Sequence, residues 1–310
     1  MRILALGAGG VGGYFGGRLL QSGANVTFLV RSRRAAQIAA AGLVVRSPFG
    51  DFTIAARTVS SGAEGGPYDA VLLSCKAYDL PSAMDAITPA VGPGTMIVPL
   101  LNGIGHLDTL DARFGRERVV GGIAYIAATL TAEGEIRHLN KVHGVVIGER
   151  DACESKRCQA LADLFARTPV NCRASDSIMV ELWEKFAFLA TLAGMTCLMR
   201  APVGAIVAAD EGEALMLEMF EACNRTAAAA GHATRATPTE RGRAMLTERG
   251  SAFTASMLRD LERGGPTEAD HVLGDMLRRS RALGVEAPLM RVACVHLQAY
   301  ERARNVPGTG

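Results

Sequence analysis

The chain has 310 residues, 49% of them hydrophobic, and its 33 Lys and Arg against 31 Asp and Glu leave a formal net charge of +2. This length favours two domains, and the composition provides enough apolar material for a core in each. The balanced charge excludes a protein built chiefly to bind nucleic acid or an anionic membrane, since both need a concentrated basic surface. The seven cysteines form no C-x-x-C pair. We expect them to be buried thiols in a cytoplasmic protein without a disulfide framework or metal site.

The first half of the chain alternates short apolar runs with helical stretches. The predicted strands are Ile3–Leu6, Asn25–Val30, Leu43–Arg46, Phe52–Ala55, Ala70–Cys75, Thr95–Leu101 and Val119–Leu130. Most of these runs are continuous rather than alternating, which is typical of parallel strands covered on both faces. The order of strands and helices predicts an α/β fold, a Rossmann-type doubly wound parallel sheet. Residues 133–149 are predicted as a hairpin or two antiparallel strands at its edge.

The second half shows no strand pattern after about residue 173. A long apolar helix begins near Ser175 or Asp176, and further helices are predicted at 210–231, 238–249, 251–263, 266–283 and 288–303. Within the long helix, the uncharged stretch Phe186–Met199 is 14 residues long. Such a stretch is too short to span a bilayer and indicates a core helix. We therefore predict a dinucleotide-binding domain over residues 1–172 and an all-helical C-terminal domain over residues 173–310.

A glycine-rich turn directly follows the first predicted strand and opens a helix. Its sequence, Gly7-Ala8-Gly9-Gly10-Val11-Gly12, matches G-x-G-x-x-G. In that context the first glycine permits a tight turn, the second lets a pyrophosphate approach the backbone, and the third lets helix and strand pack closely. The helix N-terminus then offers N–H groups to the phosphates. The alternative is a glycine turn that only packs, and the strand–loop–helix order argues against it.

The end of the second strand indicates which dinucleotide binds. NAD sites carry an Asp or Glu there for the ribose hydroxyls, whereas this chain has Arg31-Ser32-Arg33-Arg34. Arginine and serine suit the 2′-phosphate of NADPH. We therefore predict NADPH as the cofactor, with Arg31 as the leading contact and Ser32 or Arg33 assisting. The alternative is a solvated basic cluster at a helix start.

Polar residues also follow the third and fourth long strands of the predicted sheet. Lys76 lies in the sequence Cys-Lys-Ala-Tyr, and Asn102 lies in Leu-Asn-Gly-Ile-Gly. Ligands of open α/β sheets bind outside the carboxyl ends of the strands. We expect Lys76 and Asn102 to lie near the cofactor, although each residue alone is equally typical of a surface lysine or a turn.

These motifs, together with Leu182-Trp183-Glu184-Lys185, occur in an order that resembles the ketopantoate reductase (2-dehydropantoate 2-reductase) family over nearly the whole chain. The resemblance implies NADPH-dependent reduction of a small 2-oxo acid, most directly 2-dehydropantoate to pantoate in pantothenate and coenzyme A synthesis. It also implies that Lys185 is the catalytic acid. From the sequence alone this lysine could equally extend its ammonium group to solvent.

The resemblance assigns three further site residues. It implies that Glu268 holds a substrate hydroxyl and neighbours the lysine, that Ser256 binds the substrate carboxylate, and that Asn102 lies near the nicotinamide and the reacting carbonyl. Locally, Glu268 is also explained as an acid in the first turn of a helix. An ordinary helix serine is likewise an alternative for Ser256.

Three positions depart from the family pattern. Asparagines that contact the substrate in the family are replaced here by Leu189, Ala193 and Phe253. Loss of these hydrogen-bonding groups favours a less polar substrate. The alternatives are therefore a related NADPH-dependent 2-oxo acid, β-hydroxy acid or opine-type dehydrogenase with a more apolar substrate, and a protein that senses NADPH without turnover. A homodimer is one assembly we consider.

Overall fold

The computed structural model describes residues 1–304 and divides into two compact units. The first unit comprises Met1–Leu101 and His106–Ile178, and the second comprises Asn102–Gly105 and the chain from Met179 onward. The first unit thus continues beyond residue 172 to Ile178. The short segment Asn102–Gly105, which follows the last strand of the parallel sheet, belongs to the second unit.

The first unit contains a five-stranded sheet in which all neighbouring strands are parallel. Its strands are β1 (Arg2–Leu6), β2 (Asn25–Leu29), β5 (Arg57–Val59), β6 (Ala70–Leu73) and β7 (Met96–Pro99), in the order β5-β2-β1-β6-β7. Four of the five strands are buried along almost their whole length, as continuous apolar runs require. The predicted parallel sheet is confirmed. The edge strand β5 was missed because its sequence is polar and only three residues long.

A second five-stranded sheet, of mixed direction, lies in the same unit. Its strands are β3 (Leu43–Arg46), β4 (Phe52–Ile54), β8 (Gly121–Leu130), β9 (Glu135–Gly148) and β10 (Asn171–Ala174). The prediction for residues 133–149 was wrong in two respects. These residues form one long strand, β9, which pairs antiparallel with β8, and both strands belong to this second sheet. The exposed polar middle of β9 resembled a turn, whereas the actual turn is residues 131–134, ending at Gly134 with φ +95°.

The helix that follows the glycine turn, α1 (Gly10–Gln21), packs against both sheets. A Cβ atom on Gly16 would lie 2.8 Å from the Phe28 ring of the parallel sheet. On the other side, a Cβ on Gly13 would lie 2.4 Å from Ile136 Cδ1, and one on Gly17 would lie 2.9 Å from Leu43 Cδ2. The glycines therefore bring α1 close to two sheets, and the residues around it form one continuous core.

Four further helices complete the first unit. They are α2 (Ser32–Ala41), α3 (Leu80–Ile87), α4 (Gly105–Phe114), whose first residue belongs to the second unit, and α5 (Lys156–Phe165). The last of these, α5, was missed together with β10. Ser155 caps it by accepting a hydrogen bond from Cys158 N at 3.2 Å, and Phe165 fills the core beneath it.

The second unit is helical, as predicted. Its helices are α6 (Ile178–Met199), whose first residue belongs to the first unit, α7 (Val203–Ile206), α8 (Gly212–Ala229), α9 (Ala236–Leu246), α10 (Ser256–Glu262), α11 (Asp275–Ala282) and α12 (Pro288–Arg304). Among residues 1–304, α6 is the one helix long and apolar enough to cross a membrane, and 67% of that stretch is buried inside the protein. Burial of this extent is the property of a core helix.

The predicted helix over residues 266–283 is not continuous. Residues 264–268 carry no helix, and a π-helical turn, Asp270–Gly274, precedes α11. The non-helical segment is held by α12. Thr267 N and Oγ1 both donate to Glu301 Oε1, at 2.6 and 2.7 Å, and Tyr300 Oη donates to the Gly265 carbonyl at 2.8 Å. These tertiary hydrogen bonds replace the ones a longer helix would have made.

All seven cysteines are free thiols, but their burial is uneven. Cys153 is exposed, whereas Cys158, Cys197, Cys223 and Cys294 are buried. Burial raises the pKa of Cys197 and of Cys223 to about 12, so these thiols are unreactive at neutral pH. The expectation of buried thiols was wrong for Cys153.

Candidate active site

The glycine turn of the first unit has the geometry of a pyrophosphate-binding loop. Gly7 adopts φ +84° and donates its N–H to the Leu29 carbonyl at 2.9 Å, which makes the tight turn. A Cβ on Gly9 would meet no atom within 4 Å, so this side of the loop is open to a ligand. A Cβ on Gly12 would lie 2.1 Å from Ser74 Oγ and 2.6 Å from the Gly7 carbonyl oxygen, so the third glycine is needed for packing. The three glycines thus serve the three purposes that a dinucleotide requires.

The residues present therefore fit a bound dinucleotide, with Gly7, Ala8, Gly9, Gly10, Val11 and Gly12 as the proposed loop. The first turn of α1 carries no acidic side chain that would repel a phosphate. Gly10 has an additional structural purpose, because a Cβ there would lie 2.7 Å from the carbonyl oxygen of Ala128 in β8.

Arg34 holds this loop from the side, a contact that sequence reasoning missed. Its Nε donates to the Ala8 carbonyl at 3.0 Å, and its Nη1 donates to the Gly134 carbonyl at 2.8 Å. Burial lowers the pKa of Arg34, and the guanidinium remains charged. The sequence shows only three basic residues within four positions at a helix start. The sequence alone offers no signal for which of them turns toward the loop.

The basic residues predicted for the 2′-phosphate lie at the end of β2. The side chain of Arg31 is 82% exposed, and its Nη2 lies 3.2 Å from Asp79 Oδ1. An exposed ion pair of this kind is weak, so Arg31 can exchange Asp79 for a phosphate. Ser32 is exposed at the first residue of α2. Lys76, partly buried, precedes a single 3₁₀ turn after β6 that ends at Asp79.

Lys185 and Glu268 are brought together in the second unit. Lys185 lies on α6 and is partly buried; burial lowers its pKa to about 8, while the nearby charge of Glu268 acts in the opposite direction. Glu268 itself is buried, with 9% of its surface exposed. A lysine in these surroundings is still largely protonated at neutral pH, yet it gives up its proton far more readily than a surface lysine.

The residues before Lys185 fix its position. Glu184 accepts hydrogen bonds from Arg235 Nε at 2.8 Å and from Arg235 Nη2 at 2.7 Å, which ties α6 to the start of α9. Trp183 is buried, its ring stacks on His232 at 6.2 Å, and the Arg279 guanidinium lies 5.8 Å from the ring centroid. In this motif Trp183 packs in the core and Glu184 binds Arg235. Both contacts fix the part of α6 from which Lys185 projects.

Asn102 belongs to the same unit and lies against the π-helical turn. His271 Nε2 donates to the Asn102 carbonyl at 2.9 Å, and a Cβ on Gly103, whose φ is +76°, would lie 3.3 Å from the His271 carbonyl oxygen. A Cβ on Gly105 would lie 3.2 Å from the Asp275 carboxylate. The Glu268 carbonyl accepts a hydrogen bond from Val272 N of this turn at 3.0 Å, so the turn contacts the backbone of both Asn102 and Glu268. Wide turns of this type are frequent at functional sites. His271 was not identified from the sequence.

The remaining predicted positions lie on α6, on α10 or just before α10. Ser256 is exposed at the first residue of α10. Leu189 is partly buried and Ala193 is buried on α6. Phe253 is 37% exposed, and its ring stacks on Phe188 with the ring centroids 6.2 Å apart. The structure therefore places aromatic and aliphatic groups where the family resemblance would have amides.

Comparison with known proteins identifies the family. Residues 3–152 match the family model "Ketopantoate reductase PanE/ApbA", and residues 177–301 match its C-terminal counterpart. An uncharacterized oxidoreductase, YkpB, of Bacillus subtilis (strain 168) is 36% identical over 302 residues, covering 97% of this chain and 99% of the relative. A 2-dehydropantoate 2-reductase of Mesorhizobium japonicum is 27% identical over 325 residues, covering 97% and 99% of the two chains.

Among solved structures, 2-dehydropantoate 2-reductase from Geobacter metallireducens GS-15 has a TM-score of 0.85 and 31% identity. That match covers 96% of this chain and 99% of the other. The predictions of an oxidoreductase acting on CH–OH groups and of NADPH as its cofactor are confirmed at the level of the family. With both of its units matched, the chain belongs to the ketopantoate reductase family.

Proposed function

We propose that this chain reduces a 2-oxo acid to the 2-hydroxy acid with NADPH, and that 2-dehydropantoate, which gives pantoate for pantothenate synthesis, is the first substrate to test. The observation that carries the proposal is Lys185, whose pKa is lowered by burial to about 8 beside Glu268. A binding protein has no need of such an acid. The relatives named 2-dehydropantoate 2-reductase support the choice of first substrate.

NADPH, when bound, supplies the hydride that reduces the carbonyl carbon. In the proposed reaction Lys185 donates its Nζ proton to the carbonyl oxygen, and its charge stabilises the negative charge that develops there. Asn102 and Ser256 orient the substrate. Glu268 contacts a substrate hydroxyl and keeps Lys185 protonated, because its charge raises the pKa of the lysine.

In the first unit we assign the pyrophosphate to the Gly7–Gly12 loop. Arg31 and Ser32 would receive the 2′-phosphate, and Lys76 would lie beside the bound cofactor. The open side of Gly9 and the exposed guanidinium of Arg31 support this assignment. A 2′-phosphate would replace the weak contact of Arg31 with Asp79 by charge-assisted hydrogen bonds.

The test is steady-state turnover, followed by the loss of NADPH absorbance with 2-dehydropantoate, with NADH as the comparison cofactor. Lys185→Ala is expected to lower kcat by roughly 10²- to 10⁴-fold, the usual contribution of a general acid, while the Kd for NADPH stays unchanged. Lys156→Ala, an exposed lysine on α5, is the matched control. Full activity of the Lys185 variant would refute the assignment, and equal rates with NADH would refute the role of Arg31.

A second candidate is a related dehydrogenase for a more apolar 2-oxo acid, β-hydroxy acid or opine. The observation that favours it is the set of apolar side chains at Leu189, Ala193 and Phe253. A panel of 2-oxo acids separates it from the first candidate. A third hypothesis is a protein that senses NADPH without turnover. It would be supported if the protein binds NADPH but none of the 2-oxo acids in the panel causes NADPH to be oxidised. The homodimer and the cytoplasmic location stay predictions.

A further inference from the structure

One face of α6 carries both the proposed acid and large apolar side chains. Phe188 and Leu189 follow Lys185 by three and four residues, so all three project from the same side of the helix, about one turn apart. Both apolar side chains are only partly buried. The side chains that follow Lys185 along this face are therefore hydrophobic and partly accessible.

A second aromatic ring extends this face from another segment. The Phe253 ring stacks on Phe188 with an interplanar angle of 22° and a centroid separation of 6.2 Å, which is an offset stack. Gly242 of α9 lies on Phe188 as well, because a Cβ there would be 3.4 Å from Phe188 Cδ2. The Phe188 ring is thus held between a glycine of α9 and the Phe253 ring.

The backbone of Phe253 is fixed, although its side chain is 37% exposed. Its carbonyl accepts a hydrogen bond from Val203 N at 3.0 Å, and the Ser251 carbonyl accepts one from Gly204 N at 2.9 Å. A Cβ on Gly204 would lie 2.3 Å from Ser251 N, so this segment and α7 are in close contact. A large apolar side chain on a rigid, closely packed segment that still faces outward is a preformed surface for an apolar group.

We infer that Phe188, Leu189 and Phe253 form an apolar wall that selects 2-oxo acids bearing an aromatic or bulky hydrophobic group on the carbonyl carbon. This inference rests on the proposed function and names the substrate class for the same site. The wall offers no side-chain hydrogen-bond donor or acceptor, so a polar substituent such as a hydroxyl gains nothing from it, whereas an aryl ring gains stacking and burial. The chemistry is unchanged: the hydride of NADPH forms the new C–H bond, the carbonyl π bond opens, and Lys185 supplies the proton to oxygen, leaving NADP⁺.

The test compares kcat/KM for phenylglyoxylate, 2-dehydropantoate and pyruvate, which share the 2-oxo acid group and differ in its substituent. The wild-type protein is expected to prefer phenylglyoxylate over pyruvate by roughly 10- to 200-fold, the range available to an apolar pocket. Phe253→Ala and Phe188→Leu should each remove most of that preference, because they should lower kcat/KM for phenylglyoxylate more than kcat/KM for pyruvate. Phe253→Asn should shift the preference toward 2-dehydropantoate.

Val295→Ala, an exposed apolar residue on α12, is the matched control, and thermal melts verify that each variant is folded. If the Phe188 and Phe253 variants lose kcat/KM equally for phenylglyoxylate and pyruvate, the inference is overturned and the proposed function stays intact. A wild-type preference for 2-dehydropantoate would have the same consequence. Absence of turnover with all three acids would refute the proposed function and the inference together. The inference is supported if Phe253→Ala and Phe188→Leu both fold and both lose kcat/KM selectively for phenylglyoxylate.

Discussion

Replacing Gly9 by alanine should separate cofactor binding from folding. The Gly9 backbone, at φ −86° and ψ −161°, is extended and suits alanine, and the added Cβ would meet no protein atom within 4 Å. The free energy of unfolding should therefore change by less than about 0.5 kcal/mol, as for a surface substitution. The methyl group would instead occupy the space through which the pyrophosphate approaches the backbone.

The expected loss of affinity follows from the hydrogen bond that the methyl group prevents. A hydrogen bond to a charged group is worth about 1.5–3 kcal/mol. Its loss corresponds to NADPH binding roughly 10- to 150-fold more weakly. Gly12→Ala should behave differently, because its Cβ would lie 2.1 Å from Ser74 Oγ and 2.6 Å from the Gly7 carbonyl oxygen. Serine can rotate away but the carbonyl cannot, so overpacking should lower stability by about 1–3 kcal/mol.

The assay is a fluorescence titration of NADPH for Kd together with thermal unfolding for Tm. Gly94→Ala is the control, because its Cβ would also meet no atom within 4 Å and it lies in a turn away from the loop. The expected pattern is weak binding with a normal Tm for Gly9→Ala, a lowered Tm for Gly12→Ala, and no change for Gly94→Ala. Wild-type affinity in Gly9→Ala would refute the assignment of the loop, and a lowered Tm there would refute the packing argument.

Three other predictions concern charge. Glu268→Gln removes the charge that raises the pKa of Lys185, so the alkaline limb of the kcat/KM profile, expected near pH 8, should move to lower pH; an unmoved limb would contradict the contact. Glu184→Gln should lower the free energy of unfolding, measured in urea, by about 1–3 kcal/mol, because it breaks the paired hydrogen bonds with Arg235. An unchanged unfolding midpoint would contradict a stabilising role for these hydrogen bonds. Burial lowers the pKa of His143 to about 4, below its unfolded value of about 6.5. The neutral ring therefore contributes at most about 3 kcal/mol to the free energy of unfolding above pH 6.5, and this contribution is lost as the pH falls toward 4. The histidine ring signals in NMR should show this titration, and a midpoint near 6.5 for His143 would exclude it.

The parallel sheet was predictable because its signal is local. Burial on both faces requires continuous apolar runs, and β1, β2, β6 and β7 carry them. The second sheet lacks that signal. In β9 the first residues alternate between buried and exposed, the middle is exposed, and the end is fully buried. No single period describes such a strand, so only its pairing with β8 on both sides of an irregularity, at residues 136–138 and 143–148, shows that it is one element.

The glycines of α1 show how a recognised motif concealed a second constraint. The fingerprint accounts for Gly7, Gly9 and Gly12, whereas Gly10, Gly13 and Gly17 serve the second sheet. The last three are spaced by three and four residues, which places them on one face of the helix. That spacing was visible in the sequence, but it indicates a second packing surface only once a second sheet is known to exist.

Family resemblance identified the residues that we propose to react, whereas the residues that contact their segments were missed. Arg34, Arg235 and His271 each make a polar contact with a segment distant in sequence, and no local pattern marks such contacts. These partners act on the backbone of the loop, on Glu184 and on the Asn102 segment. None of these contacts involves Phe188 or Phe253. The groups that position the reacting residues are therefore separate from the wall that meets the substituent. For this reason we expect changes in the wall to alter which 2-oxo acid is reduced without altering the proton donor.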